Sequence, residues 1–436
     1  MKKKKRKHTI QTGTKKLKIQ ERFEIKFFVT ILALAVVQIG NIFPIPTINA
    51  TYFQLLIQKT SLLGVMNRFS GGAFGKMTVF ALGVSVYISA SIVVQLLTVV
   101  FRRMEQLERN GAYGKKQLEK ITIWFSVFMS ILSAFCFALM LRNYGILRDQ
   151  KVVTLILTAL FLCAGSLILV CLGKIIDKRG IGNGITMILM MNLIASIPYD
   201  AQVIYYGFFK GHGIPVRVAT VAVIILLITF AVLLNEIEKR LQLQYSSAPI
   251  QTEMGKKCAY LSISGRLVSV MPVILASTIF QVLSMVMLFT GKEKVGWYQY
   301  LNMSNWFQKG SLKYTVGYLL YIVLMILFAY FYISITFNAY QMNQNLRKEG
   351  ITIKDQRPGE ETIRYINKSI RQIIWISLFF LFVITTVPMV IAGMTNVSSL
   401  NMSGTTLIII VGAMLETIRS LKGEFMVSKY EKKDWI

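Results

Sequence analysis

The sequence predicts an all-α polytopic membrane protein with ten transmembrane helices. Apolar residues make up 54% of its 436 residues, and the mean hydropathy is +0.55, whereas a soluble domain of this size does not carry so many long apolar runs. Ten of these runs are long enough to cross a bilayer, where a helix is the structure that satisfies the backbone. Basic residues gather in alternate connecting segments, as the positive-inside rule requires.

The ten spans divide the chain into alternating inner and outer segments. The predicted spans cover residues 26–43, 77–101, 121–141, 152–173, 183–205, 216–234, 267–288, 314–337, 372–392 and 405–420. The N-terminal sequence MKKKKRKH and the segment after every second span are rich in Lys and Arg. Both termini are therefore predicted to lie in the cytoplasm.

The second span combines an aliphatic face with small polar residues. The aliphatic residues are Val84, Ile88 and Ile92, and the serines beside them are Ser85, Ser89 and Ser91. A spacing of four residues puts the aliphatic side chains on one face of a helix. Two interpretations remain open at this point. The small residues allow close packing between helices, or this helix forms the wall of a structure that opens.

Three connecting segments have distinctive sequences. Residues 47–74 are moderately apolar and form either a re-entrant half-helix ending at Gly71-Gly72 or an ordinary loop. Gly180, Gly182 and Gly184 predict a flexible, closely packed entry to the fifth span, or a tight turn with Asn183 as the N-cap. Residues 235–247, NEIEKRLQLQYSS, predict a charged helical extension of the sixth span.

The outer loop between the seventh and eighth spans is rich in aromatic residues. It contains Trp297, Tyr298, Tyr300 and Trp306. Such residues are typical of a membrane–water interface.

Charge and motifs argue against several functional classes. The net charge of +29 is spread over loops beside apolar spans, which favours anionic lipids and acidic proteins as partners over nucleic acid. The two histidines, His8 and His212, lie outside the spans, and Gly71–Lys76 has the wrong spacing for a phosphate loop. No catalytic set, metal site or cofactor is expected. The four cysteines are scattered and are expected to be reduced.

A secondary solute or lipid transporter is the alternative from another class. Ion-coupled transporters keep ionisable groups inside the membrane. Between the ends of the predicted spans there are essentially none, and Glu416 lies near the cytoplasmic end of the tenth. A charge-free aliphatic interior with basic cytoplasmic loops instead favours a hydrophobic gate or conduit.

Six motifs, in order along residues 27–422, resemble the SecY family of protein-translocation channels. They are IGNIFPIPTINA, FSGGAFGKMTVFALG with YISASIVVQLL, RGIGNGI, MPVILASTIF, RPGEET and GTTLIIIVG. The resemblance implies a clamshell of two five-helix halves with a plug half-helix. It divides the chain into a basic cytoplasmic N-terminus (1–25), an N-terminal half (26–205), an external hinge (206–215), a C-terminal half (216–420) with cytoplasmic loops 235–266 and 338–371, and a cytoplasmic tail (421–436).

The resemblance also implies roles for individual residues. The aliphatic pore ring would be Val84, Ile88, Ile92, Ile185, Leu189, Ile274 and Ile409. The plug, at about residues 61–74, would include Ser61, Leu62, Leu63, Met66, Phe69, Gly71 and Gly72. The lateral gate would carry Ser85, Ser89, Ser277 and Thr278, and Arg240 and Arg357 would dock the motor.

By the same resemblance, the chain is the channel subunit of a bacterial cell-membrane translocase and not an enzyme. A SecA-type ATPase would drive unfolded secretory proteins through it, with SecE-like and SecG-like or accessory small subunits as partners and the ribosome as a further docking partner. No cofactor is implied.

Three departures from the family pattern point to a subtype. Val86 stands where a proline is usual, Gln242 replaces the usual proline after the sixth span, and SISGRLVSVMP lacks the usual lead into the seventh. They suggest the accessory SecY of Gram-positive bacteria, which exports Ser-rich glycoprotein adhesins with its own SecA. A housekeeping SecY for general preproteins is the alternative.

Overall fold

The computed structural model describes most of the chain, and nearly all of the described part is helical. The described residues are 24–49, 53, 67, 70–210, 213–245, 260–265, 271–290, 296–307, 312–336, 339–348, 350–354, 356–357, 359–395 and 403–430. They fall into two compact units: the first takes its residues from Met1–Ala201 and Ala413–Ile436, and the second from Gln202–Gly412.

The first unit is a set of packed helices. Its helices, in chain order, are α1 (24–40), α2 (Ser85–Val100), α3 (Arg102–Arg109), α4 (Gly111–Asn143), α5 (Val152–Arg179) and α6 (Gly184–Ile204). Helix α4 packs against both α2 and α5. The fourth predicted span was expected to end at residue 173, but α5 continues through Arg179 and therefore includes Lys174.

The start of α2 differs from the prediction, which began the second span at residue 77. Residues 70–84 form successive turns, and the helix begins at Ser85. Met77 and Gly83 both have positive φ, 49° and 60°, and a right-handed helix cannot run through left-handed residues. The Met77 carbonyl instead accepts a hydrogen bond from the Ile45 N–H at 2.8 Å. This bond ties the turns to the segment after α1.

The second unit combines helices with a small sheet. Its elements are a π-helical turn (Tyr205–Phe209), α7 (Ile214–Glu236), β1 (Glu238–Tyr245), β2 (Tyr260–Ser264), α8 (Met271–Thr290), α9 (Gly296–Leu301), 3-10 turns at Met303–Asn305 and Leu312–Thr315, α10 (Val316–Thr336), α11 (Ala339–Lys348), β3 (Ile351–Ile353), α12 (Glu360–Thr395) and α13 (Ser403–Tyr430). The last part of α13, from Ala413, belongs to the first unit.

The helical extension predicted after the sixth span is wrong, because β1 occupies this segment. The three strands are antiparallel in the order β2-β1-β3. Leu241 is buried, Leu243 packs on the same core, and Arg240 and Gln242 are exposed. This period of two suits a strand with one face on a core. The apolar face lies on a cluster that includes Ile366 and Ile370 of α12.

Six of the described helices are long and apolar enough to cross a membrane. They are Tyr113–Asn143, Val152–Arg179, Ile214–Glu236, Lys313–Ile333, Glu360–Thr395 and Gly404–Gly423. They coincide with the predicted third, fourth, sixth, eighth, ninth and tenth spans. Shorter apolar helices at Ser85–Thr98, Gly184–Pro198 and Met271–Ser284 lie within the second, fifth and seventh spans. The protein is thus a mostly helical, multi-pass membrane protein, and the count of ten stays a prediction.

Candidate functional site

Three residues of the predicted aliphatic ring meet in one cluster of the first unit. Val84 and Ile185 are buried within this cluster, and Ile88 packs against it. The buried members are Ala33, Val37, Ala73, Phe80, Val84, Leu169, Ile176, Ile185 and Ile188. The structure therefore joins the aliphatic face of α2 to the start of α6, two elements that are far apart in the sequence.

The remaining four ring residues lie on four helices. Ile92 of α2 and Leu189 of α6 are buried in the first unit. In the second unit, Ile409 of α13 is buried and Ile274 of α8 is partly exposed. Predicted ring residues are therefore present on apolar helices of both units. Their arrangement into one ring stays a prediction.

The end of the predicted plug is a compact turn. Gly71 and Gly72 have φ of 67° and 85°, which a residue with a side chain rarely adopts. Asn67 holds the turn on two sides: its carbonyl accepts from the Gly72 N–H at 2.8 Å, and its Oδ1 accepts from the Gly75 N–H at 2.6 Å. The other predicted plug residues, Ser61, Leu62, Leu63, Met66 and Phe69, lie outside the described residues.

A buried group of amides lies beside this turn, and the sequence analysis missed it. Gln38 and Asn41 direct their NH₂ groups at Oδ1 of Asn192 on α6, at 3.5 and 3.4 Å. A Cβ added to Gly71 would lie 3.0 Å from the Asn192 Cα, so the turn packs directly on α6. Amide side chains inside apolar spans were the signal that could have revealed this contact.

The glycine-rich entry to α6 is a closely packed turn. A Cβ on Gly184 would lie 2.0 Å from the Gly173 carbonyl oxygen, so α6 begins against the backbone of α5. Gly182 has a φ of 75°, and Oδ1 of Asn183 accepts from the Thr186 N–H at 3.3 Å. The N-cap at Asn183 and the close packing are both confirmed, since the motif is a capped turn and a point of close helix approach. The flexibility of this entry stays a prediction.

Side chains from outside the turn also hold its backbone. The Thr30 hydroxyl of α1 accepts from the Ile181 N–H at 3.0 Å, and Oδ1 of Asp177 accepts from the Gly184 N–H at 2.7 Å. The start of α6, next to Ile185, is consequently fixed to both α1 and α5.

Three of the four predicted gate residues form local hydrogen bonds with their hydroxyl groups. Ser85 donates to the Leu82 carbonyl at 2.7 Å, while Ser277 and Thr278 both donate to the Ile274 carbonyl, at 3.0 and 2.7 Å. Ser89 lies partly exposed on α2. Hydroxyls bonded to nearby backbone leave small surfaces that do not depend on a partner for hydrogen bonding.

The two predicted motor-docking residues belong to loops that the sheet joins. Arg240 is exposed on β1 and lies 3.6 Å from Glu238. Arg357 is exposed just before α12, where its carbonyl accepts from the Thr362 hydroxyl at 2.8 Å. Because β1 pairs with β3, the sheet joins the described parts of loops 235–266 and 338–371, which the sequence did not reveal.

Within the described part of the chain, no group of His, Cys, Asp and Glu side chains could hold a metal ion. The described site is instead an apolar one. Buried apolar residues from α1, the turns before α2, α5 and α6 form it, and Ile88 of α2 packs against them. A capped glycine turn and buried amides border it.

Known proteins resemble this chain along almost its whole length. Residues 78–418 match the family model for SecY. The protein translocase subunit SecY of Staphylococcus carnosus is 28% identical over 416 residues, which are 93% of this chain and 95% of that protein.

Solved channel structures share the fold. A structure described as showing that the plug domain of SecY stabilises the closed state and maintains a membrane seal has a TM-score of 0.60, 18% identity and 92% coverage of both chains. Sec61 in the canine ribosome–channel complex has a TM-score of 0.59, 16% identity and 92% coverage of both.

Proposed function

The chain belongs to the SecY family of protein translocase channel subunits, and from this premise we propose that it forms the channel of an accessory Sec system. In this system, a SecA-type ATPase drives unfolded Ser-rich glycoprotein adhesins across the bacterial cell membrane. As a SecY-type channel subunit, the chain is not an enzyme. The observation that carries the proposal is the buried aliphatic cluster joining Val84 and Ile88 to Ile185.

Physical properties of aliphatic side chains support this role. They resist wetting when a pore is empty and yield around an extended polypeptide, so they can seal against ions and still let a chain pass. The ring would comprise Val84, Ile88, Ile92, Ile185, Leu189, Ile274 and Ile409. The proposed architecture has ten spans in two halves, 26–205 and 216–420, joined by the hinge 206–215.

The plug and the lateral gate would control this pore. Residues from about 61 to 74 would close its outer side, as the plug domain of the related SecY stabilises that channel's closed state. The Asn67–Gly75 turn and its packing on Asn192 support a seated segment here. Ser85, Ser89, Ser277 and Thr278 would face each other across a gate for signal sequences. The local hydrogen bonds of Ser85, Ser277 and Thr278 favour surfaces that can separate.

Basic cytoplasmic segments would bind the partners. The sheet that joins the two large loops supports a common docking surface for SecA, with Arg240 and Arg357 in it. Sec61, a structural relative, occurs in a ribosome–channel complex, which supports the ribosome as a further partner. SecE-like and SecG-like or accessory subunits would support the channel, anionic lipids would contact its basic loops, and both termini would be cytoplasmic.

A crosslinking experiment tests the pore. Single cysteines replace Ile88, Ile185, Ile274 or Ile409 in a chain without the four native cysteines, and a secretory protein carrying one cysteine is stalled during export with the cognate SecA. We expect crosslinks at all four positions and none at Ile156, which is 50% exposed on α5. Absence of crosslinks in an intact, SecA-bound complex would refute the channel proposal.

The same experiment separates the two subtypes. An accessory channel should crosslink a Ser-rich glycoprotein and not an ordinary preprotein. Efficient crosslinking of the ordinary preprotein would assign the chain to housekeeping export. The departures at Val86 and Gln242 favour the first outcome.

A further inference from the structure

A single ammonium group in the first unit contacts three helices. Lys174 lies near the end of α5, and its side chain is only 19% exposed. Its Nζ is 2.8 Å from Oε1 of Glu119 on α4 and 3.1 Å from Oδ2 of Asp177 on α5. It also lies 5.5 Å from the ring centroid of Tyr87 on α2, within the range of a cation–π interaction.

The contact extends to a fourth helix through Asp177. One oxygen of this carboxylate binds Lys174 at 3.1 Å, and the other accepts from the N–H of Gly184, the first residue of α6, at 2.7 Å. The carboxylate therefore connects the ammonium directly to the N-terminus of α6. Carboxylates are favourable at such a terminus, because the helix dipole is positive there.

Burial makes this group different from an ordinary surface ion pair. Exposed pairs contribute little, because water screens both charges. A largely buried ammonium loses most of its hydration and needs close partners to offset that loss. Glu119, Asp177 and the Tyr87 ring supply them. Removing the positive charge would leave two carboxylates near each other with no cation between them.

The helices that Lys174 joins carry the predicted ring residues of this unit. Tyr87 precedes Ile88 on α2, and Gly184 precedes Ile185 on α6. Both ring residues also contact the same apolar cluster. The apolar cluster and the charged group therefore both contact the starts of these two helices.

We propose that Lys174 is a positioning residue, which holds α2 and α6 at a fixed separation and so keeps Ile88 and Ile185 in register while the channel is idle. The expected consequence, a pore sealed against ions, rests on the proposed function. The positions of the helices do not depend on it.

Distance measurements between spin labels test the geometry. Labels are attached to cysteines at Val100 on α2 and Ile197 on α6, both exposed, in the full-length chain without native cysteines, reconstituted in vesicles containing phosphatidylglycerol. We expect Lys174→Met to broaden or shift the distance distribution clearly. Lys174→Arg, which keeps the charge and the donors, should preserve it.

Matched variants separate a local effect from general disturbance. Lys178→Met removes a neighbouring lysine that is exposed on the same helix, and it should leave the distribution unchanged. Glu119→Gln removes a partner that is 47% exposed, so the protein should fold, and a smaller broadening is expected. If Lys174→Met fails to fold, the distance distribution of Glu119→Gln tests the positioning role instead.

A second readout measures the consequence. In the same vesicles, an imposed potassium diffusion potential should decay several-fold faster with Lys174→Met than with Lys174→Arg or Lys178→Met. Unchanged distances in folded Lys174→Met, or in Glu119→Gln if the first variant does not fold, would overturn the inference. Changed distances without secretory crosslinks at the ring would preserve the positioning role and refute the channel proposal instead.

Discussion

Two short connecting segments, one in each unit, are stabilised by different means. In the first, the turn before α6 is held by hydrogen bonds from Thr30, Asp177 and Asn183 to backbone N–H groups. In the second, the segment before α10 is held by aromatic packing around Trp306, which is 1% exposed. Its ring centroid lies 5.3 Å from that of Phe280 on α8 and 5.9 Å from that of Tyr321 on α10.

The difference follows from the environment of a membrane protein. Lipid is as apolar as a leucine side chain, so helices in a bilayer associate through close packing and hydrogen bonds. In the turn before α6, glycines allow close approach and polar side chains fix the backbone through hydrogen bonds. Around Trp306, large rings make the contacts, which depend on area more than on a few angles. The first arrangement should therefore be sensitive to small geometric changes, and the second to loss of volume.

The largest effect is expected at Trp306. Trp306→Ala should lower the free energy of unfolding by about 3–5 kcal/mol, because it removes a fully buried ring and leaves a cavity. Thermal unfolding in detergent measures the change. Trp297→Ala is the control, since Trp297 is 52% exposed, and it should have little effect. Similar losses for both variants would show that the aromatic cluster does not stabilise this segment.

An intermediate effect is expected at the entry to α6. Gly184→Ala would place a Cβ 2.0 Å from the Gly173 carbonyl oxygen, and forcing the helices apart should cost about 1–3 kcal/mol. Unfolding in the same detergent measures it. Gly423→Ala has no atom within 4 Å of the added Cβ, so it should be neutral or slightly stabilising. An equally neutral Gly184→Ala would disprove the close approach.

The smallest effect is expected at Thr30. Thr30→Val keeps the shape but leaves the Ile181 N–H without its acceptor, which should cost about 1–2 kcal/mol. Thr229→Val is matched, because the exposed Thr229 hydroxyl donates to the Ile225 carbonyl of its own helix. Faster amide hydrogen exchange at Ile181 in Thr30→Val alone would support the contact. Unaltered exchange would contradict it.

Local patterns predicted the apolar helices and the role of the glycine motif, because hydropathy and backbone freedom are properties of short segments. They failed where distant residues decide the structure. The strand at Leu241 forms because β2, β3 and α12 supply partners for its backbone and its apolar face. Trp306 is likewise buried by Phe280 and Tyr321, which lie on α8 and α10.

Charges inside the first unit show the same limit. The sequence placed Lys174 in a cytoplasmic segment, since a lysine after an apolar run usually marks the end of a span. Its partners Glu119 and Tyr87 come from other helices. A lysine can remain on a helix and be largely buried when such partners surround it. Partners on other helices cannot be identified from the local sequence.

The order of the sheet has a consequence for biosynthesis. Strand β1 lies between β2 and β3, yet β3 follows α8, α9, α10 and α11 in the chain. While these helices are being made and inserted, one edge of β1 has no strand to pair with, and open edges attract other extended chains. The sheet can therefore be completed only after helices α8–α11 have been synthesised. A nascent chain stalled in α8–α11 should be more prone to aggregation and proteolysis than one that has reached β3.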